Sequence, residues 1–294
     1  FSGDNTNGLY NAPNSGVYGK MWQLINTYDP TTGQFALANT TEARNGYLQM
    51  AEQRNTDWFD ELFSNSIMQN HSISVSSGSD KATYYASLSV MNDPGWYLKS
   101  GVQRYTANLN TSYKLGKKVT LNLLSNAAYR KQNAPGTSSQ AVNLVDGEIS
   151  RDFDINPYSY ALNSSRTLDP KETYRRNYAD FNIFKELDNN YIELNTVDLK
   201  FQTELKWAPV KELELSVLGA LKYNTIDNEH FIMDESNQAN AYRAMDNSII
   251  IDSNDKLYPD PDHPYDLPIT VLPEGGIYRR TDYKTKGFDF RTSF

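Results

Sequence analysis

Hydrophobic side chains recur at every second position through several stretches of this chain, and the polar residues between them form an equally regular set. From 105 to 113, Tyr105, Ala107, Leu109, Thr111 and Tyr113 share one side while Thr106, Asn108, Asn110 and Ser112 share the other, the two-residue repeat of a β-strand. The next run sets Val119, Leu121, Leu123, Ala127 and Tyr129 against Thr120, Asn122, Asn126 and Ala128, with Leu124 and Ser125 as exceptions. From 196 to 207 the alternation is strictest: Val197, Leu199, Phe201, Leu205 and Trp207 against Thr196, Asp198, Lys200, Gln202, Glu204 and Lys206. Its successor pairs Leu213, Leu215, Val217, Leu221 and Tyr223 with Glu212, Glu214, Ser216 and Lys222. Earlier runs cover 72–76 and 83–90, and a seventh sets Phe288, Phe290 and Phe294 against Asp289, Arg291 and Ser293. Seven strands are expected.

One such strand fits a soluble sheet with one wet face. Seven of them, with aromatic ends and roughly the 9 to 11 residues of a tilted membrane strand, point to the wall of a membrane β-barrel. The connections agree, because they alternate between short (77–82, 114–118, 208–211) and long (92–103, 131–190, 226–282). Bacterial barrels have short turns on one side and long loops on the other. The inward charges Asp198, Lys200, Glu204 and Lys206 then imply a wet lumen or a polar plug, since burying them unpaired costs several kcal/mol each. Residues 1–55 show no period and read as loop. In TDWFDELF, 56–63, Thr56 is an N-cap candidate for a short helix burying Trp58, Leu62 and Phe63.

Composition narrows the picture in three ways. Only 38% of residues are apolar, 21 are Tyr and none is Cys, so disulfides, thiolate metal sites and cysteine nucleophiles are excluded. No run of 18 apolar residues exists, which excludes a membrane-crossing helix but not barrel strands. The net charge of −8 disfavours nucleic acid as a partner; residues 227–282 hold 12 acidic and 4 basic residues, a balance equal to the whole net charge. The chain starts at Phe1 with no readable targeting signal and reads as an excised segment.

No catalytic motif is present, and no catalytic residue, metal site or cofactor is assigned. His71, His230 and His263 are far apart and read as lone strand or loop residues. The acidic pairs Asp152/Asp154, Asp252/Asp255 and Asp260/Asp262 fit no EF-hand spacing and read as solvated loop acids. Asp93-Pro94-Gly95-Trp96 has the residues of a type II turn, which would hold Trp96 and Tyr97 at a loop tip. There they form either a stacking surface for a sugar or peptide side chain or aromatics packed on neighbouring loops. The same two readings apply to Tyr158, Tyr160 and Tyr174.

Four segments carry a family resemblance: NTDWFDELF (55–63), QNHSISVSSGSDKATYYASLSVMNDPGW (69–96), RYTANLNTSYKLGKKVTLNLLSN (104–126) and NNYIELNTVDLKFQTELKWAPVKELELSVLGAL (189–221). Together they resemble the SusC/RagA family of TonB-dependent outer-membrane transporters of Bacteroidetes. That resemblance implies an all-β antiparallel barrel of about 22 strands filled by a plug, of which this chain would supply about seven, with the plug domain absent from it. It further implies a SusD-like surface lipoprotein, TonB engaged through the missing N-terminal region, a dimer of SusC–SusD pairs and import of oligosaccharides or oligopeptides. Residues 1–66 become an extracellular loop region with a short helix near 56–64. Residues 67–294 become barrel strands with outer loops near 131–190 and 226–282. Pro94-Gly95-Trp96 is bulkier than the corresponding loop of many members. The alternative from the residues is a soluble β-sandwich-type carbohydrate-binding module; a barrel enzyme lacks any visible nucleophile and base.

Overall fold

The computed structural model describes residues 16–136, 140–142, 149–151, 155–176 and 178–294. All seven alternating runs are strands: β1 (Gln69–Gly78), β2 (Ala82–Asp93), β3 (Gly101–Lys114), β4 (Val119–Pro135), β5 (Asn190–Val210), β6 (Leu213–Ile232) and β7 (Ile277–Ser293). They pair antiparallel in chain order into one seven-stranded sheet. The sheet is open, because β1 and β7 each pair with one neighbour only among the described residues. No described helix is long and apolar enough to cross a membrane.

Register turns the alternation of each strand into two continuous surfaces. Val75, Ala86, Leu109, Ser125, Phe201, Leu221 and Phe288 lie side by side across all seven strands. The adjacent row on the same face runs Ile73, Leu88, Ala107, Ala127, Leu199, Tyr223 and ends on Lys286 at the open edge, where a long stem lets the ammonium leave the apolar zone. On the opposite face the row is Ser74, Ser87, Asn108, Asn126, Lys200, Lys222 and Gly287. Here Asn126 Nδ2 donates to Asn108 Oδ1 at 2.6 Å and Asn108 Nδ2 to Ser87 Oγ at 3.0 Å, a hydrogen-bonded seam across three strands. The strand 119–135 keeps one register through Leu124 and Ser125. Those two residues therefore break the pattern by identity, not by a bulge.

The sheet buries little of itself. Ile73, Val75, Leu88, Leu109, Phe201, Leu221, Phe288 and Phe290 are all exposed, so a contiguous apolar surface faces outward, as in a wall that meets lipid. Aromatics fringe it: Tyr105 stacks on Tyr129 at 6.3 Å near one end, and Tyr84 meets Tyr113 edge-on at 5.5 Å near the other. Of the four charges expected on the inner face, Asp198, Glu204 and Lys206 have partners on the polar face. Glu204 accepts from Asn122 Nδ2 at 3.0 Å, Lys206 lies 3.8 Å from Glu204 and 3.5 Å from Glu214, and Asp198 accepts from Asn224 at 3.4 Å.

Strands extend beyond the alternating zone, which revises the loop bounds. β4 continues to Pro135, β6 to Ile232, and β7 begins at Ile277, so the two long connections are 136–189 and 233–276. In these extensions the face that is apolar further along becomes charged: Arg280 lies 3.7 Å from Asp227 and 2.7 Å from Asp282, and Lys131 lies 3.3 Å from Glu193. Pairing persists where the apolar/polar contrast has vanished.

The hydrophobic core sits in the connections at this end. Residues 16–55 are not loop throughout: α1 (Gly16–Asn26) and α2 (Thr41–Glu52) are helices. In α1, Val17, Met21 and Ile25 are buried at four-residue spacing, the stripe an amphipathic helix needs. In α2, Thr40 caps the first turn, its Oγ1 accepting from the Ala43 amide at 3.2 Å. The expected short helix is α3 (Trp58–Leu62), but Asp57 caps it instead of Thr56, accepting from the amides of Phe59 and Asp60. Thr56 Oγ1 is engaged elsewhere, donating to the Leu168 carbonyl at 2.7 Å. The long connections hold α4 (Pro157–Asn163), α5 (Ile183–Asn189), α6 (Asn237–Ala241), α7 (Ser248–Ser253) and short strand pairs.

Candidate functional site

An aromatic surface forms where α3, α4 and the 94–100 connection meet. Its floor is a core of Trp58, Leu62, Ile155, Tyr160, Phe181, Ile183 and Leu187. Trp58 meets Tyr160 edge-on at 5.1 Å and its Nε1 donates to the Ser165 carbonyl at 3.0 Å. Because Trp58 and Leu62 point down into this core, Phe59 and Phe63 stand on another side of α3, their ring centroids 5.3 Å apart.

The turn at 93–96 fixes the next two rings. Gly95 has φ +74°, the conformation that the third position of a type II turn requires, and a Cβ there would run into the Ser100 Oγ. The Gly95 amide donates to Asp93 Oδ1 at 2.9 Å and Ser100 Oγ to the Tyr97 carbonyl at 2.7 Å. The connection is also bound to α3: the Leu98 amide donates to the Leu62 carbonyl at 3.0 Å and the Ser64 amide to the Trp96 carbonyl at 3.1 Å. Trp96 thus sits 5.4 Å from Phe63 and Tyr97 6.2 Å from it.

Tyr158 completes the set from α4, whose N-cap Asn156 accepts from the amides of Tyr158 and Ser159, with Pro157 at the first helical position. Its ring lies 5.9 Å from Phe59, 6.4 Å from Trp96 and 6.5 Å from Phe63. Five rings from three segments make one patch. Trp96 is 60% exposed and Tyr158 48%, so the patch presents ring faces and edges to solvent.

The structure therefore brings together Trp96, Tyr97 and Tyr158 and separates them from the other two candidates. Tyr160 is buried under Trp58 and beside Phe181, at 5.9 Å. Tyr174 is buried too, its hydroxyl accepting from the Asp169 amide at 2.7 Å, and burial pushes its phenol up to about 12. Both are core residues with no ring face to offer a ligand. Phe59 and Phe63 were missed as members of the patch, although their four-residue spacing inside WFDELF was the available signal.

The remaining chemistry-bearing groups are scattered. His71 is exposed on β1, His230 Nε2 donates to Asn190 Oδ1 at 2.7 Å, and His263 faces Asp260 at 3.4 Å. Asp255 lies 3.5 Å from Lys256, and Asp152 and Asp154 lie outside the described residues. Among the described residues no three His, Asp or Glu side chains converge as metal ligands would.

A polar knot joins the two long connections nearby. Asn237, buried on α6, donates through Nδ2 to the carbonyls of Arg176, Ala179 and Asp180 at 2.7, 3.0 and 3.1 Å. Its amide donates to Glu186 Oε2 at 2.6 Å, while Asn190 Nδ2 donates to Glu186 Oε1 at 3.1 Å. Burial raises the Glu186 carboxyl above its ordinary range, against the opposing pull of these hydrogen bonds and of Arg176.

No protein-family profile matches the chain. It is 27% identical over 135 residues to TonB-dependent receptor P26 of Formosa agariphila, a match covering 42% of this chain and 14% of that receptor. It is 30% identical over 87 residues to TonB-dependent receptor P3 of the same organism, covering 30% and 8%. The chain thus aligns with a small part of the length of these relatives. Among solved structures, one of the RagAB peptide transporter superposes with a TM-score of 0.51 at 13% identity, over 86% of this chain and 25% of the other. The superposition shows that the antiparallel sheet and its connections share the fold of part of that structure. The recognition of a TonB-dependent, SusC/RagA-type sequence is borne out, and with it an outer-membrane location.

Proposed function

We propose that this chain is part of the barrel wall and outer loop layer of a TonB-dependent transporter that imports an oligosaccharide or oligopeptide. The supporting observation is the outward apolar face of seven registered strands, combined with a folded, aromatic-bearing loop layer at the end where all three long connections emerge. In this reading the polar seam of Ser87, Asn108 and Asn126 lines the lumen, and the Phe59, Phe63, Trp96, Tyr97, Tyr158 patch contacts substrate or a SusD-like lipoprotein lid. TonB would act through a part of the protein outside this chain, and pairs of transporter and lid would associate as dimers. The role is binding and transport without catalysis.

Deletion of the gene is expected to abolish growth on one polymeric nutrient, with the Trp96→Ala/Tyr158→Ala double variant giving a partial defect at normal outer-membrane abundance. Unchanged growth of the deletion strain on every glycan and peptide source tried would overturn the import reading. An unaffected double variant would remove the aromatic patch from it. A soluble carbohydrate-binding module is disfavoured by the exposed row from Val75 to Phe288, which in water would cost about 25 cal/mol for each Å² left uncovered.

A further inference from the structure

Ser125 stands where the alternation of β4 calls for a large apolar side chain. Register places it between Leu109 on β3 and Phe201 on β5, and in the next row places Ala127 between Ala107 and Leu199. Leu109, Leu199 and Phe201 are exposed on the apolar face, whereas β4 contributes only a hydroxymethyl and a methyl group at these two positions. A trough of about 630 Å³ therefore runs along β4 through the middle of the apolar surface, lined almost wholly by carbon. Leu123 ends it toward the short turns, and Tyr129, stacked on Tyr105 at 6.3 Å, ends it toward the loop layer. The strand between those two residues spans roughly 20 Å.

Three observations point to one occupant. The first is width: two strand spacings, roughly 9–10 Å, separate the Leu109 and Phe201 backbones, and a polymethylene chain with its carbons about 4 Å from each wall needs about 8 Å. The second is continuity, because the trough is let into the same exposed apolar face that the outer-membrane location turns toward lipid. The third is the end nearer the loop layer. Past the Tyr105–Tyr129 stack, which sits where interfacial aromatics meet head groups, Lys131 follows on the same face, its ammonium 3.3 Å from Glu193. A lysine at that depth is a charge-assisted partner for a lipid phosphate.

We propose that the trough is a binding site for one acyl chain of a phosphate-bearing membrane lipid, with Ser125 and Ala127 as its floor, Leu109, Leu199 and Phe201 as its walls, and the phosphate beside Lys131. Bulk lipid tails are as apolar as the trough, so burial alone gives no preference; selection comes from dispersion contacts made on both sides of one chain. A hydroxyl gains nothing from hydrocarbon, so the small volume of Ser125 is what suits this position. The proposal rests on the sheet being a barrel wall and adds to it a saturable site in place of uniform lipid contact.

Native mass spectrometry of the full-length protein in detergent, titrated with dipalmitoyl phosphatidylethanolamine, tests this. One lipid is expected to bind in a saturable first step ahead of weaker additions. Ser125→Leu/Ala127→Leu fills the trough with the residue type that the alternation calls for, and should weaken that step roughly fivefold to tenfold at normal outer-membrane abundance. Ala127→Leu alone should act in the same direction and serves if the double variant fails to insert. Val217→Phe, on the same face but outside the trough, should leave the step unchanged. Lipid binding with no saturable first step, or a first step indifferent to Ala127→Leu and to the double variant, overturns the proposal. So does a protein or lipoprotein anchor that copurifies with the wild type, blocks the lipid step and is lost from the variants. The wall reading fails separately, by the chain remaining monodisperse without detergent.

Discussion

At the scale of single residues, the loop layer is held by groups whose importance no linear pattern announces. Asn237 and Glu186 are 51 positions apart, and what makes them partners is the folding of two long connections against each other. The Glu186 carboxyl is nearly enclosed, and burial raises its affinity for a proton in the folded state. Its protonation therefore favours folding: this contribution is full below the ordinary carboxyl range and is lost as pH rises through the raised folded value. Hydrogen exchange of the 174–189 and 234–241 amides is expected to show protection falling as pH is raised through that window, after correction for intrinsic exchange. Glu186→Gln should flatten this dependence. It should also lower protection overall, because the amide places a donating NH2 group where one of the two carboxylate oxygens accepts from Asn237 or Asn190. An unchanged pH slope in the variant would assign the dependence to another group.

At the scale of elements, the strands were legible and the helices were not, for a physical reason. Alternation is visible where the two faces of a strand meet different media, as from Val197 to Trp207. It disappears at 224–232 and 277–284, where Glu229 and Arg280 point to the same side as Leu221 and Phe288 do further along, and polar and apolar residues mix on both faces. In α1 the buried stripe has only three members, Val17, Met21 and Ile25, interleaved with exposed Tyr18 and Trp22, so its period is diluted. The aromatic patch was half legible: turn chemistry exposed Trp96 and Tyr97, but only packing distinguishes Tyr158, which lies outside, from Tyr160, which lies under Trp58. The two faces of β4 and β5 make a paired prediction. Phe201→Arg, at the middle of the apolar row, is expected to destabilise the inserted protein by about 2–4 kcal/mol and to reduce its outer-membrane abundance. Asn126→Lys, on the seam, should leave abundance near normal. Equal effects from both would mean that the two faces do not meet lipid and water respectively.

At the scale of the whole molecule, the arrangement is inverted relative to a soluble protein. The buried hydrophobic residues lie almost entirely in the helices and connections, with Ala220 and Ile232 the exceptions in the long strands, while the sheet keeps Phe and Leu side chains outside. Such a sheet gains little from its own faces; its stabilisation must come from a medium that covers the apolar side and from neighbours that satisfy the edges at β1 and β7. The two short turns at 79–81 and 115–118 and the two-residue turn at 211–212 hold the strands together at one end, and the loop layer with its Asn237 knot holds them at the other. Neither end covers the wall between them. The 294-residue chain expressed alone is therefore expected to aggregate in detergent-free buffer, and to become dispersible when detergent covers the apolar row. Light scattering with and without detergent distinguishes this from a sandwich module, which would remain monomeric in both. The loop layer supplies an internal control, because Trp58 fluorescence should still report a packed environment for α3 and α4 in detergent. A chain that is monodisperse in plain buffer with its apolar row protected would show that this face is closed by protein, and the membrane assignment of the sheet would fall with it.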